Sequence, residues 1–306
     1  MVPPWTQGSG LSWSCPGSRP VPQLLAYEPV GPGSAPLGVM SGQCELNTQG
    51  TYYGTVSSFA EEVRRYWDED SLYYDDVSHH HPVRPAEQAA WQAALAEVLP
   101  PEPSRVLDCG AGTGFVSLMA ARLGHMVTAV DISSAMLERL KAKAGEQSLN
   151  IEVLEGTAED PPDGPFDAVV ERHLLWTLPD PLKALRAWRN VAPFGRLVLV
   201  ESIWGEVDPL EALRGRARSL LAHLRCAKPE HHAPYPGSLR GQLPLASGTS
   251  PDVLAGLVSS AGWVSPQLKR LRDVEWASSL GLRWPERLIG VSPRFILHAN
   301  SAPSQS

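Results

Sequence analysis

The sequence predicts an α/β fold, a mostly parallel sheet covered by helices on both faces. Three observations predict it. Short apolar runs alternate with amphipathic stretches from residue 105 to residue 202. These runs are continuously apolar, as strands are when both faces of a sheet are buried. A glycine-rich turn, inside "RVLDCGAGTGF", joins the first run to the stretch that follows it.

Taken in order, residues 1–50 are rich in Pro, Gly and Ser and show no period, so they read as disordered. Met40 is an alternative start within them. Residues 51–100 read as a helical cap, with helices at "SSFAEEVRRYW" and "RPAEQAAWQAALAEVLP". The second sets Ala90, Leu95 and Val98 on one stripe and stops at "PPEP". Residues 101–300 form the main domain. Strand "RVLDC", helix "GFVSLMAARLG" and strand "MVTAVD" come first, then helix "SSAMLERLKAKAG", capped by Ser133 or Ser134. Strands "NIEVLEG" and "FDAVVER", helix "DPLKALRAWRNVA" and strand "RLVLVES" follow. The pattern loosens at about 205–250, the span of an insert that opens with helix "PLEALRGRARSLLAHLR". Helix "SPDVLAGLVSSAGW" and an antiparallel strand pair near 264–276 and 289–299 close the domain, and "NSAPSQS" is a frayed end.

Bulk properties narrow the function. Of 306 residues, 43% are hydrophobic and 19% charged, as in a soluble globular protein. A net charge of −7 gives no general attraction to nucleic acid or an anionic membrane. Cys15, Cys44, Cys109 and Cys226 are scattered, without a C-x-x-C pair, which suits a reducing compartment better than disulfides or zinc. There is no apolar run of spanning length, and "MVPPWTQGSGLSWSC" lacks signal-peptide character, so a cytoplasmic location is expected.

The glycine turn admits three readings: a plain strand–helix turn, a dinucleotide site, or a site for another nucleoside. A dinucleotide turn needs G-x-G-x-x-G, and here Phe115 stands at the third glycine's place. Asp108 ends the first strand and Asp131 the second. A carboxylate at Asp131 can accept from both hydroxyls of a ribose, and as a bland alternative it caps a helix.

An acid followed by G-x-G-x-G resembles motif I of class I S-adenosylmethionine-dependent methyltransferases. "RYWDEDSLYYDD" resembles the Y-W-D-x-x-A-x-x-Y-D segment of the same family, with Ser71 for Ala. "LEGTAEDPPDGPFDAVVERHLLWTLPDP" resembles its motifs III and IV, with Thr157 in place of an acid, and "VAPFGRLVLVE" its L-x-P-G-G turn, with Phe194 for Gly. Residues 60–205 carry the likeness. It implies a Rossmann-like, doubly wound, seven-stranded sheet with an antiparallel edge strand, a helical N-terminal extension and a lid insert. It also implies S-adenosyl-L-methionine as cofactor, held by Tyr74, Asp108, Gly110, Ala111, Gly112, Asp131, Ile132, Thr157, Ala158, Glu159 and Arg172.

For chemistry, His173 follows Glu171 and Arg172 at the carboxyl end of the fourth strand, where such folds bind ligands. His173 and Glu171 are the expected catalytic pair, His173 as the base. Tyr66, His79, Trp176 and Tyr235 are the expected substrate contacts. Contiguous His79–His81 rarely converge on one ion, so no metal is expected. His231 and His232, and the basic residues Arg214, Arg216, Arg218, Arg225 and Lys228, read as solvated.

The expected activity is methyl transfer to a small molecule, on C, N or O. "ERHLLWTLPDP" is similar to actinobacterial specialised-metabolite methyltransferases, including carbon methyltransferases of indole alkaloids and prenyl substrates. An RNA or protein methyltransferase, or a silent cofactor-binding partner protein, are the alternatives. The acceptor, the oligomeric state and a subunit contact through the first helices stay open at this level.

Overall fold

A computed structural model describes residues 58–301 apart from 78, 79, 83, 204–208, 225–230 and 249. The expected disorder of residues 1–50, Met40, the C-terminal tail and His79 lie outside the described residues, as do Arg225 and Lys228.

Seven strands form one sheet in the order β3-β2-β1-β4-β5-β7-β6. They are β1 (Arg105–Cys109), β2 (Met126–Asp131), β3 (Ile151–Glu155), β4 (Ala168–Arg172), β5 (Arg196–Ser202), β6 (Trp263–Arg270) and β7 (Arg294–Ser301). The first five pair in parallel, and β7 runs antiparallel to both β5 and β6. The chain leaves β1 for β2 and β3, then returns to place β4 on the other side of β1. That reversal opens a crevice at the carboxyl ends of β1 and β4, the place where open α/β sheets take ligands.

The helices are α1 (Phe59–Tyr74), α2 (Pro85–Val98), α3 (Phe115–Arg122), α4 (Ser134–Glu146), α5 (Pro181–Val191), α6 (Pro209–Leu224), α7 (Gly237–Arg240), α8 (Pro251–Ser260), α9 (Arg272–Ser279) and α10 (Glu286–Ile289). Local chemistry sets their starts. Ser58 and Glu61 cap α1 reciprocally, at 3.3 Å and 2.7 Å. Ser133, Asp180 and Ser250 each accept a backbone N–H at the start of α4, α5 and α8. Pro181 and Pro251 occupy first-turn positions, where no amide proton is needed.

Alternate strand residues face opposite cores. Leu107, Leu197 and Leu199 pack with Trp188, Leu254 and Trp263 under α5 and α8. Val106, Val198 and Val200 pack with Trp91, Leu95 and Met119 under α2 and α3. The two deepest indoles are satisfied: Trp188 donates to the Ala158 carbonyl at 2.7 Å and Trp263 to that of Leu185 at 2.9 Å.

The last part of the chain differs from its sequence reading. The strand expected near 264–276 stops at Arg270, because Val274, Ala277 and Ser278 are buried at helical spacing and form α9. The final strand begins only at Arg294, after α10. Among the described residues, no helix is long and apolar enough to cross a membrane, and no group of three or more His, Cys, Asp or Glu side chains is placed to hold a metal ion.

Candidate active site

Three glycines shape the turn after β1. Gly110, Gly112 and Gly114 have φ of 65°, 53° and 91°, a region that costs any other residue strain. They do different work. A Cβ on Gly114 would stand 2.1 Å from Leu140 of α4, so that glycine serves packing. A Cβ on Gly112 would meet nothing within 4 Å, and this glycine lines the crevice.

Beneath the turn lies a recess lined by Tyr74, Asp108, Gly110, Gly112, Phe115 and Arg172, among others. Asp108 is 1% exposed. One carboxylate oxygen accepts from the Ser117 hydroxyl at 2.5 Å, and the other is buried with no partner in the protein. Burial pushes its pKa up to about 7. The Arg172 guanidinium sits 4.0 Å from the centre of the Phe115 ring in the same recess. A carboxylate oxygen lacking a donor, beside a guanidinium, complements the ammonium and carboxylate of an α-amino acid.

The recess opens into a larger cavity of about 140 Å³. Asp131 lies on its wall, accepting from the Gly112 amide and the Ser133 amide at 2.8 Å each. Each oxygen keeps a second lone pair for another donor. Burial raises its pKa to about 6. Ile132, Gly156, Thr157, Ala158 and Glu159 continue the wall at the ends of β2 and β3.

Helix α1 roofs the cavity with Phe59, Val63, Trp67 and Tyr74. It is strapped down at two points. Asp68 accepts from the Ser133 hydroxyl at 2.6 Å, and Asp75 accepts from Thr113 at 2.6 Å and from Lys143 at 2.9 Å. Phe59, Val63 and Trp67 were absent from the sequence-based site. Their spacing of four, the stripe of a helix laid over a surface, is the signal that points to them.

His173 also lines the cavity. It adopts φ 57°, unusual for a non-glycine residue, with its amide donating to the Val200 carbonyl at 3.3 Å. This turn swings the imidazole across to β5, where Nδ1 lies 2.9 Å from Glu201 Oε2 and Nε2 lies 3.5 Å from Ser202 Oγ. Burial, then Arg172 and Arg294, hold the imidazole well below its ordinary pKa. Burial lifts Glu201 to about 8. Burial, then Glu201, push Glu171 well above its ordinary value.

Of the expected cofactor contacts, all eleven line the cavity or its recess. The expected catalytic pair separates: His173 lines the cavity, whereas Glu171 is fully buried and off its wall, bonded to the Leu174 amide at 2.7 Å. Glu201, which takes the place beside His173, was not picked out from the sequence. Tyr66, Trp176 and Tyr235 do not line the cavity. They form an aromatic cluster next to it, with Tyr235 5.4 Å from Trp176 and 4.8 Å from Tyr66, both edge-on. Tyr66 also donates to the Ala233 carbonyl at 2.8 Å.

His231 and His232 are not solvated. Both clasp Asp70, which is 0% exposed, through Nδ1 at 2.8 Å and 3.0 Å, with the His232 amide adding a third bond at 2.8 Å. A buried carboxylate on α1 needs donors, and the insert supplies them.

Residues 107–199 match the family model described as a methyltransferase domain. The ubiquinone biosynthesis O-methyltransferase of Xanthomonas campestris pv. campestris (strain B100) is 32% identical over 158 residues, covering 50% of this chain and 63% of the relative. The chain thus spans less than two thirds of that relative. Phosphoethanolamine N-methyltransferase 2 of Haemonchus contortus, solved with phosphomonomethylethanolamine and S-adenosylhomocysteine, superposes with TM-score 0.54 at 14% identity, over 82% of this chain and 62% of that one. A geranyl diphosphate methyltransferase, solved in complex with GPP and sinefungin, gives TM-score 0.51 at 17% identity, over 80% of this chain and 99% of that one. At such identities the likeness is one of fold. Residues 107–199 thus match a methyltransferase domain, and the sheet that holds them has the Rossmann-like fold of the methyltransferases it superposes on.

Proposed function

We propose that this chain binds S-adenosyl-L-methionine and transfers its methyl group to a small-molecule acceptor of the specialised-metabolite type. One observation carries the reading. The recess beneath the glycine turn offers a partnerless carboxylate oxygen of Asp108 beside Arg172, while Asp131 lines the adjoining cavity. An amino acid joined to a ribonucleoside has its polar groups in that order. The curated relatives are O-methyltransferases, which supports oxygen as the atom methylated.

The residues present fit the cofactor. Asp108 would hold the ammonium, Arg172 the carboxylate, Asp131 the ribose hydroxyls, and Thr157, Ala158 and Glu159 the adenine. When bound, the cofactor supplies an electrophilic methyl group on a positively charged sulfur. The protein's own task is placement, which is worth up to about 7–11 kcal/mol when reacting atoms are held aligned. Tyr74 and Trp67 line the cavity, and an aromatic ring set against the cation would attract it by about 0.5–2 kcal/mol. That attraction also acts on the ground state, so it serves affinity more than rate. His173, at the cavity end, takes the acceptor's proton at Nε2. The cluster of Tyr66, Trp176 and Tyr235 suits an apolar or aromatic acceptor.

The test has two parts. Titration calorimetry with S-adenosylhomocysteine should show binding; none would end this reading. Labelled S-adenosylmethionine, incubated with extracts of the source cell and followed by mass spectrometry, should identify the acceptor. With that acceptor, His173→Ala should lower kcat at least 100-fold and leave the KM for cofactor within about twofold. Unchanged turnover would remove His173 from the mechanism.

A further inference from the structure

Glu201 has no role in the reading above, and its surroundings suggest one. It is 4% exposed at the end of β5, with one oxygen 2.9 Å from His173 Nδ1. That contact depends on the left-handed backbone of His173, a conformation that costs on the order of 1 kcal/mol or more and persists where the surroundings enforce it. With Nδ1 occupied, Nε2 is the nitrogen left for an acceptor.

The charges around His173 make this partner decisive. Arg172 from β4 and Arg294 from β7 both oppose a proton on the imidazole. Glu171, also from β4, is the other carboxyl nearby, and it is fully buried against the Leu174 amide. Its pKa is pushed well above the ordinary range by burial and by Glu201, and its hydrogen bond goes to the Leu174 amide and not to the imidazole. Glu201 is therefore the one described carboxylate in contact with the ring that can offset the charge His173 gains as it accepts a proton. Ser202, at 3.5 Å, is too distant to do so.

We propose that Glu201 is the positioning residue for His173, holding Nε2 as the free nitrogen and serving as counter-charge to the imidazolium formed during turnover. The proposal rests on His173 being the base. The proton balance is simple. The starting pair is a carboxylate and a neutral imidazole protonated at Nδ1. The acceptor's proton moves to Nε2, and the pair becomes a neutral ion pair. With burial lifting Glu201 to about 8, the pair holds one extra proton at neutral pH, on the carboxyl facing Nδ1. Losing that proton switches the protonated ring nitrogen from Nε2 to Nδ1 and arms the base.

The test uses the full chain saturated with S-adenosylhomocysteine and labelled with ¹⁵N at its histidines. His173 signals are assigned with His173→Asn. Between pH 6.5 and 9.5, wild type should show the ring protonation moving from Nε2 to Nδ1 with a midpoint near 8. Glu201→Gln, close in size, should abolish that midpoint, and Glu201→Asp should keep it. With the acceptor identified above, Glu201→Gln should lower kcat about 10–100-fold, leave the KM for cofactor within twofold, and flatten the rise of kcat through pH 8. A midpoint that survives Glu201→Gln, or an unchanged kcat, overturns the proposal. If Glu201→Gln abolishes the midpoint yet His173→Ala keeps full turnover, the fault lies in the base assignment and not in the Glu201 contact.

Discussion

Two alanine substitutions, two residues apart, separate the ligand-facing side of the glycine turn from its packing side. Both Gly112 and Gly114 have positive φ, so alanine at either carries a left-handed penalty of about 1–2 kcal/mol. The reduced freedom of the unfolded chain returns about 0.4–1 kcal/mol of that. Gly112→Ala adds nothing further, because its methyl meets no atom within 4 Å. Gly114→Ala drives a methyl to 2.1 Å from Leu140 Cδ1. Leu140 is 0% exposed and packed among Ala111, Leu118 and Leu137, so it has nowhere to go. Overpacking of that kind costs about 1–3 kcal/mol. Urea unfolding should therefore show Gly112→Ala losing about 1 kcal/mol and Gly114→Ala about 2–4 kcal/mol. Calorimetry with S-adenosylhomocysteine should rank them the other way. Gly112 lines the cavity and bonds Asp131, so its methyl should weaken binding at least tenfold, while folded Gly114→Ala should bind within about threefold of wild type. Wild-type affinity in Gly112→Ala would refute the claim that the ligand lies against this stretch of backbone.

Asp131→Ala removes the carboxylate that anchors the Gly112 and Ser133 amides as well as the expected ribose contacts. Hydrogen bonds to charged groups are worth about 1.5–3 kcal/mol, so affinity for S-adenosylhomocysteine should fall on the order of 100-fold in calorimetry. Asp70→Asn cannot accept three donors on two charged oxygens and should lower stability in urea by about 2–3 kcal/mol. The pH dependence has a definite sign. Burial pushes the Asp70 pKa up, but hydrogen bonds from His231 and His232 outweigh it and hold the pKa below its ordinary value of 3.8. Its contribution is thus complete above about pH 4 and lost as pH falls through the lowered pKa. Stability measured from pH 5 downward should drop less steeply in Asp70→Asn than in wild type; parallel curves would show that the clasp does not matter.

Much of the site was legible because it follows the order of the chain. In a parallel sheet, each strand delivers its last residues to the same edge, so Asp108, Asp131 and His173 were bound to gather wherever the strands paired in register. The period of each apolar run and the glycines after β1 carry that information locally. The contacts that cross the chain were decided elsewhere. Glu201 looked like the end of one more apolar strand, and only the pairing of β4 with β5, with a left-handed turn at His173, sets it against an imidazole 28 positions earlier. Glu171, two residues from His173, looked like its partner, since alternate residues of a strand share a face, yet β4 ends at Arg172 and the left-handed turn at His173 carries the imidazole away while the carboxyl stays buried. His231 and His232 read as solvated because nothing near them in sequence needs a donor. Their partner is a buried Asp70 on α1, and a buried carboxylate takes donors from whatever segment the tertiary packing brings to it.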